Sequence, residues 1–221
     1  GEALELGGMV KMSKSKNNGV DPQELINLYG ADTARLYTMF AAPPEQALEW
    51  REDGVHGSYK FLQRLWRITT EFLEKGDVPQ LDVKSLNKAQ KDVRRKTHET
   101  IDKVTVSYAD KYAYNTAIAA VMELLNTVNK FDAKDAQDLA VVKEALESAI
   151  LMLSPIVPHI TYELWELLGK TESVVDAQWP AVDKNALVKD SLLYIVQVNG
   201  KLRAKIEVDA SASKDQIQEL A

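Results

Sequence analysis

The chain has 221 residues, of which 45% are hydrophobic and 27% charged, and its formal net charge is −6. This balance is typical of a globular protein that buries a core, and any contact with nucleic acid must use local basic faces. The absence of cysteine excludes disulfides and cysteine-bound zinc within this stretch. No apolar run reaches the roughly 18 residues of a membrane-spanning helix, so no membrane partner is predicted.

The first fifty residues predict a loop followed by two short helices. Residues 1–20 are rich in Gly, Lys, Ser and Asn, which favours a loop. Asp21-Pro22 then favours a helix start, because Asp can cap and Pro fits the first helical position. This helix is expected to stop before Gly30, and a second to run from Asp32 to about Ala42.

A series of amphipathic helices is predicted in the middle of the chain. Apolar residues recur at spacings of three and four, which is the helical period. In the first of these helices the stripe passes through Tyr59 and Trp66. Short connections between such helices indicate antiparallel neighbours in a bundle. The predicted segments are residues 52–75, 85–108, 113–131 and 135–153, and a last helix that reaches Gly169.

The pattern changes after Gly169. Residues 171–190 are irregular, and Asn199-Gly200 then predicts a hairpin turn between two strands. Ser213 and Gln216 fit a capping box that would open another helix. The chain starts at Gly1 without methionine and stops within this predicted helix, so we expect a fragment. The predicted fold class is mainly α: an antiparallel helical bundle, preceded by a loop segment and followed by the start of a small α+β domain.

The strongest chemical signal is the loop Lys11-Met12-Ser13-Lys14-Ser15. Two ammonium groups on a flexible stretch can reach a triphosphate and stabilise charge that builds up as pyrophosphate leaves. Serine hydroxyls and backbone N–H groups add donors without bulk. The alternative is a solvated basic loop, which is the commoner explanation of a Lys/Ser stretch of this length.

These five residues match the KMSKS signature of class I aminoacyl-tRNA synthetases letter for letter. The doubled Asn17-Asn18 that follows resembles the leucyl enzymes rather than the KMSKSKGN of valyl and isoleucyl enzymes. Segments along the rest of the chain, in family order, also resemble leucyl-tRNA synthetases. They are Tyr29 to Leu36, Pro43 to Trp50, Phe61 to Arg67, Leu153 to His159 and Gln197 to Arg203.

The resemblance implies a C-terminal part of a leucyl-tRNA synthetase, whose fold would be the anticodon-binding type of bundle. Residues 1–50 would end the catalytic domain, 51–170 form the bundle, 171–190 a linker and 191–221 begin the C-terminal tRNA-binding domain. The His-x-Gly-His motif of that family is absent from these residues. The fragment is therefore expected to be inactive alone.

The resemblance also implies partners and roles. The parent enzyme would bind leucine, ATP with Mg²⁺, and tRNA(Leu), and would be monomeric and cytoplasmic. Lys11 and Lys14 would be catalytic, and Lys11, Met12, Ser13, Lys14 and Ser15 would bind ATP. No residue is expected to ligate a metal.

Basic residues elsewhere are candidates for tRNA binding. Arg64 and Arg67 share a predicted helix face with Lys60. Lys201, Arg203 and Lys205 alternate along the second predicted strand, and alternation would put all three on one face. A denser basic run lies at residues 91–96. For every one of these groups, a solvated surface is the competing explanation.

Three further residues are assigned structural roles from the sequence. Asp32 is interpreted as a helix cap, Trp50 as a core or interdomain anchor, and His159 as a hydrogen-bonded core histidine. Two other functions stay open for the whole chain: an RNA-binding module without chemistry, and a purely structural bundle. An upstream nucleotide-binding domain in the reading frame would discriminate between these and the synthetase.

Overall fold

The computed structural model describes residues 10–189, 191–198, 201–209 and 216. Within them lie seven α-helices and one antiparallel pair of strands. The helices are α1 Pro22–Tyr29, α2 Ala31–Ala41, α3 Glu52–Leu73, α4 Lys88–Ala109, α5 Tyr114–Lys130, α6 Ala136–Leu153 and α7 Pro158–Leu167. The predicted mainly α fold is confirmed. The predicted Asn199-Gly200 turn lies outside the described residues, and so does the helix from Ser213 apart from Gln216.

Capping side chains fix where the helices begin. Asp21 accepts a hydrogen bond from the Gln23 backbone N–H at 2.9 Å, as predicted for the start of α1. Asn87 and Gln90 form a reciprocal capping box at α4, and Asp135 does the same with Asp138 at α6. These caps satisfy backbone donors that the first helical turn leaves unpaired.

Helices α3 to α7 surround one apolar core, against which α2 also packs. The sequence neighbours α2 and α3, α4 and α5, α5 and α6, and α6 and α7 pack against each other, as expected of antiparallel neighbours in a bundle. The core face of α3 differs from the predicted stripe, because Trp66 is 41% exposed while Leu65 is fully buried. No helix of the described residues is long and apolar enough to cross a membrane.

The irregular segment 171–189 packs along the bundle. Val174 is buried, and the Trp179 indole N–H donates to Thr105 Oγ1 at 2.8 Å. Arg94 of α4 pairs with Asp183 at 2.9 Å and with Glu144 at 3.1 Å. The hydrogen bond from Arg94 holds the pKa of the Asp183 carboxyl below its usual range. This segment is therefore irregular in conformation and fixed in position.

Strands β1 Ser191–Val198 and β2 Lys201–Asp209 pair in antiparallel fashion. The register shifts once: Gln197 pairs with Leu202, whereas Val196 pairs with Ala204. Arg203 is therefore a bulge residue without its own partner on β1. The bulge interrupts the two-residue alternation from which one shared face was predicted for Lys201, Arg203 and Lys205, so the strand register does not support that prediction.

The glycines of α3 give a matched stability test. A Cβ on Gly54 would lie 2.7 Å from Tyr37 Cε2, whereas a Cβ on Gly57 would meet nothing within 4 Å. Tyr37 is held by hydrogen bonds to Glu49 and Arg51, so its ring cannot move aside freely. We expect Gly54→Ala to lower the free energy of unfolding by about 1–3 kcal/mol, and Gly57→Ala to raise it by ~0.5–1 kcal/mol.

Urea denaturation of both variants measures these changes as shifts of the midpoint at constant slope. Equal stabilisation by the two alanines would contradict the close packing of Tyr37 on α3.

Candidate nucleotide and tRNA sites

The loop that carries the Lys/Ser motif forms a tight turn just before α1. Residues Lys14–Lys16 make one turn of 3-10 helix, in which the Lys16 N–H donates to the Ser13 carbonyl at 3.1 Å. Ser13 and Ser15 hydroxyls lie 3.3 Å apart. Lys11 and Met12 are exposed, while the side chain of Lys14 lies outside what the structure describes. The loop thus presents its described polar groups and Lys11 to solvent.

A side chain that the sequence analysis did not single out closes this loop. Asn18 Oδ1 accepts from the Ser13 N–H at 2.9 Å, and its Nδ2 lies 3.5 Å from the Lys11 carbonyl oxygen. Asn17 before it has a φ of +49°, in the left-handed region that Asn tolerates better than most residues. The doubled Asn, noted only as a family likeness, was the available signal.

Asp32 and Arg35 on α2 attach the loop segment to the bundle. The Asp32 carboxylate accepts from the Ile160 N–H at 2.7 Å and contacts His159 Nδ1 at 2.8 Å. Arg35 donates to the carbonyls of Ile156 at 2.8 Å and Pro155 at 3.0 Å. One residue thus binds the amino end of α7, and the other binds the connection that precedes α7.

This junction corrects two interpretations from the sequence. Asp32 is a cap, but for α7, which follows more than 120 residues later; its own helix α2 has Gly30 at the N-cap and no side-chain cap. The side chain of His159 is 74% exposed, so it is not a core histidine, although Asp32 is its partner. Trp50 packs edge-on against Tyr37 with centroids 5.0 Å apart, as expected of an anchor.

A cleft of about 840 Å³ opens between the segment after α2 and the first half of α3. Arg64 and the exposed Lys60 line one side, and Phe61 and Tyr37 contribute apolar surface. The Arg64 Nε is buried and has no hydrogen-bond partner among the described residues. Its guanidinium carbon lies 5.7 Å from the centre of the Phe61 ring. The cleft therefore offers positive charge beside an apolar floor.

Arg67 differs from Arg64 although only three residues separate them. Its guanidinium donates to both carboxylate oxygens of Glu71 at 2.9 and 3.0 Å, and to Asn129 at 3.1 Å. It also does not line the cleft. The structure brings Arg64 and Lys60 together and leaves Arg67 in a surface ion pair.

The basic run at residues 91–96 is largely neutralised by carboxylates. Arg94 bonds Glu144 and Asp183, Arg95 pairs with Asp92 at 2.7 Å, and Lys96 pairs with Glu123 at 2.8 Å. These contacts favour a structural role for the run. On the hairpin, Lys201 and Arg203 are exposed, and the side chain of Lys205 is among those not described.

The described residues contain no group of three His, Asp or Glu side chains placed to hold a metal ion. A divalent cation at the loop would therefore depend on ligands from the nucleotide or from another part of a larger protein. The chemistry available from the loop itself is that of cationic and N–H donors, which suits phosphate oxygens.

A helical bundle preceded by a Lys/Ser loop is the arrangement expected of a class I aminoacyl-tRNA synthetase. Comparison with known proteins identifies the family. Residues 90–218 match the family described as the anticodon-binding domain of tRNA ligase, and residues 7–51 match the class I tRNA synthetases for I, L, M and V. The chain belongs to this anticodon-binding family of tRNA ligases. The resemblance to leucyl-tRNA synthetases is confirmed by the relatives.

Leucine–tRNA ligases of Alcanivorax borkumensis and Hahella chejuensis are 57% and 56% identical over all of this chain. The chain spans about a quarter of their length, 27% and 26%. A solved ternary LeuRS–tRNA–LeuAMS complex from Agrobacterium radiobacter K84 matches 95% of the chain and 27% of that protein, at 26% identity and a TM-score of 0.80. Mycobacterium tuberculosis methionyl-tRNA synthetase shares the fold over 69% of this chain, which corresponds to 35% of the methionyl enzyme, at 18% identity and a TM-score of 0.56.

The contact between Asp32 and α7 can be tested by substitution. Asp32→Ala would leave the part-buried Ile160 N–H without its acceptor, so we expect the free energy of unfolding to fall by about 1–3 kcal/mol. Asp132→Ala is the matched control, because its ion pair with Lys134 is exposed at 3.0 Å and such pairs contribute ~0–1 kcal/mol. Urea midpoints of the two variants decide between them, and equal small losses would show that the junction contributes nothing.

Proposed function

We propose that this chain is the part of a leucine–tRNA ligase that carries its KMSKS loop and helical tRNA-binding bundle. The whole enzyme would join leucine to AMP with release of pyrophosphate, and then transfer the leucyl group to tRNA(Leu). Relatives named leucine–tRNA ligase, identical at more than half of the positions, are the observation that carries the proposal. The cytoplasmic location and monomeric state stay predictions from the sequence.

In the first step Lys11 and Lys14 would act on the phosphates of ATP. Negative charge builds up on the leaving pyrophosphate, and ammonium groups aimed at that charge lower the barrier. Met12, Ser13 and Ser15 would form the backbone and hydroxyl surface around the same phosphates. The exposed Lys11 and the compact turn after it support this assignment. Mg²⁺ bound with ATP would neutralise part of the phosphate charge, and this chain would supply cations rather than ligands to it.

In the second step the bundle would hold tRNA near the loop. Arg64 is the best supported residue, because it lines the open cleft and its guanidinium forms no ion pair within the described residues, so its charge can meet a phosphate there. Lys60 at the same cleft adds a second cation. Arg67 is a weaker candidate, since Glu71 already neutralises it. Lys201, Arg203 and Lys205 are proposed as separate contacts from the hairpin rather than as one surface.

The loop assignment predicts a selective loss of adenylate formation. In the full-length protein that contains this chain, Lys14→Ala should lower leucine-dependent ATP–pyrophosphate exchange by roughly 10²-fold, as for loss of a preorganised charge donor. Lys16→Ala in the same turn is the matched control and should have a much smaller effect. The leucine dissociation constant should change little, because the contact acts in the transition state. Equal rates for wild type and Lys14→Ala would refute the assignment.

The 221-residue chain alone should show no exchange above background.

The cleft assignment predicts a difference between two neighbouring arginines. Arg64→Ala should raise the Michaelis constant for tRNA(Leu) and flatten its salt dependence, because a phosphate contact is lost. Arg67→Ala should leave both nearly unchanged. Aminoacylation kinetics at several salt concentrations, with pyrophosphate exchange as a control, measure both effects. A larger effect of Arg67→Ala would move the RNA-binding surface away from the cleft.

A further inference from the structure

The side chain of Asn18 bridges the two ends of the stretch Lys11–Ser13. Its Oδ1 accepts from the Ser13 N–H at 2.9 Å, and its Nδ2 faces the Lys11 carbonyl oxygen at 3.5 Å. The two backbone groups flank Met12, so one amide group constrains the peptide units on both sides of that residue. The first bond is strong by distance, and the second is at the weak limit.

The backbone at Asn17 aims Asn18 back at the loop. Its φ of +49° reverses the chain directly after the turn Lys14–Lys16. Gly and Asn adopt this conformation at low cost, whereas a β-branched residue does not. The two adjacent asparagines therefore differ in role: Asn17 supplies a backbone conformation, and Asn18 supplies hydrogen bonds.

The loop needs such a constraint because it has little else to hold it. Val10 and Met12 are both exposed, and α1 after it has no buried residue. The Ser13 carbonyl is already engaged by the Lys16 N–H, so with Asn18 on the Ser13 N–H both backbone groups of Ser13 are paired. Because the backbone is held at Lys11 and at Ser13, the Lys11 side chain and the turn Lys14–Lys16 both start from fixed positions.

We propose that Asn18 is a positioning residue of the phosphate-binding loop. By closing Lys11 to Ser13, it keeps the loop in the conformation that presents Lys11 and Lys14 together to the phosphates of ATP. Preorganisation of this kind lowers the cost of ordering the loop in the transition state. The inference rests on the proposed function, because it assigns a role within the same adenylate-forming step.

Asn18→Ala in the full-length protein tests the role. Leucine-dependent ATP–pyrophosphate exchange should fall roughly fivefold to tenfold, as expected for one strong and one weak neutral hydrogen bond. The leucine dissociation constant and the tRNA dissociation constant should stay the same. Asn27→Ala on α1 is the matched control, since Asn27 is exposed and its side chain bonds only to Gln23 among the described residues. Its exchange rate should equal that of wild type.

Two further measurements separate positioning from a general structural role. Asn17→Val should reproduce much of the loss of pyrophosphate exchange, because valine disfavours the positive φ at this position. Asn17→Gly should retain most of the exchange rate, because glycine adopts that φ readily. In the 221-residue chain, Asn18→Ala should speed hydrogen exchange at the Ser13 amide and leave the amides of α5 and α6 unchanged. Thermal unfolding checks that each variant is folded.

The outcomes distinguish this inference from the proposed function. If Lys14→Ala abolishes exchange and Asn18→Ala equals wild type, the loop function stands and the role of Asn18 is refuted. An unchanged Ser13 amide in Asn18→Ala also refutes it, independently of any enzyme activity. If Lys14→Ala has no effect, the proposed function fails and the role of Asn18 fails with it.

Discussion

The buried carboxylate of Asp32 is the contact through which the loop segment acquires a fixed position. A buried charge is costly unless it is paired or hydrogen-bonded, and Asp32, only 8% exposed, receives the Ile160 N–H and faces His159. It also lies at the amino end of α7, where the helix dipole favours a negative charge. Arg35 one turn later binds the carbonyls of Pro155 and Ile156. On α2, the Asp32 carboxylate thus accepts from a backbone N–H of α7, and the Arg35 guanidinium donates to the carbonyls just before α7.

This junction relates the two proposed sites. Helix α1 joins the loop to α2 and packs against it. Helix α2 in turn packs on α3, where Tyr37 lies against Gly54. The cleft with Arg64 lies on the same part of α3. A nucleotide at the loop and a phosphate at the cleft would therefore be held by one packed unit, in which α2 contacts both α3 and α7. Precise placement of reacting groups requires such rigid support, because small displacements are costly in rate.

Periodicity and capping signals in the sequence were sufficient to predict the helices, since both are local properties. Features that depend on distant partners were not predictable in this way. The spacing that put Trp66 in the core stripe fits either of two adjacent faces of α3, and packing selected the one with Leu65. His159 was expected in the core, yet its side chain is 74% exposed at the amino end of α7, although its partner Asp32 is buried. The bulge at Arg203 depends on strand register, which alternation along one strand does not contain.

The cations show the same division between local and distant information. Arg64 and Arg67 on α3 and Arg94 on α4 are the same residue type, and only their surroundings distinguish them. Arg67 has Glu71 one turn later, which the sequence reveals, whereas Arg94 is neutralised by Glu144 and Asp183 from far along the chain. Arg64 keeps a buried nitrogen without a partner among the described residues, which costs stability in the free protein. The adjacent Phe61 ring offsets part of that cost. Arg64 also lines the cleft, so its charge stays beside open space, whereas the charge of Arg67 is neutralised on the surface.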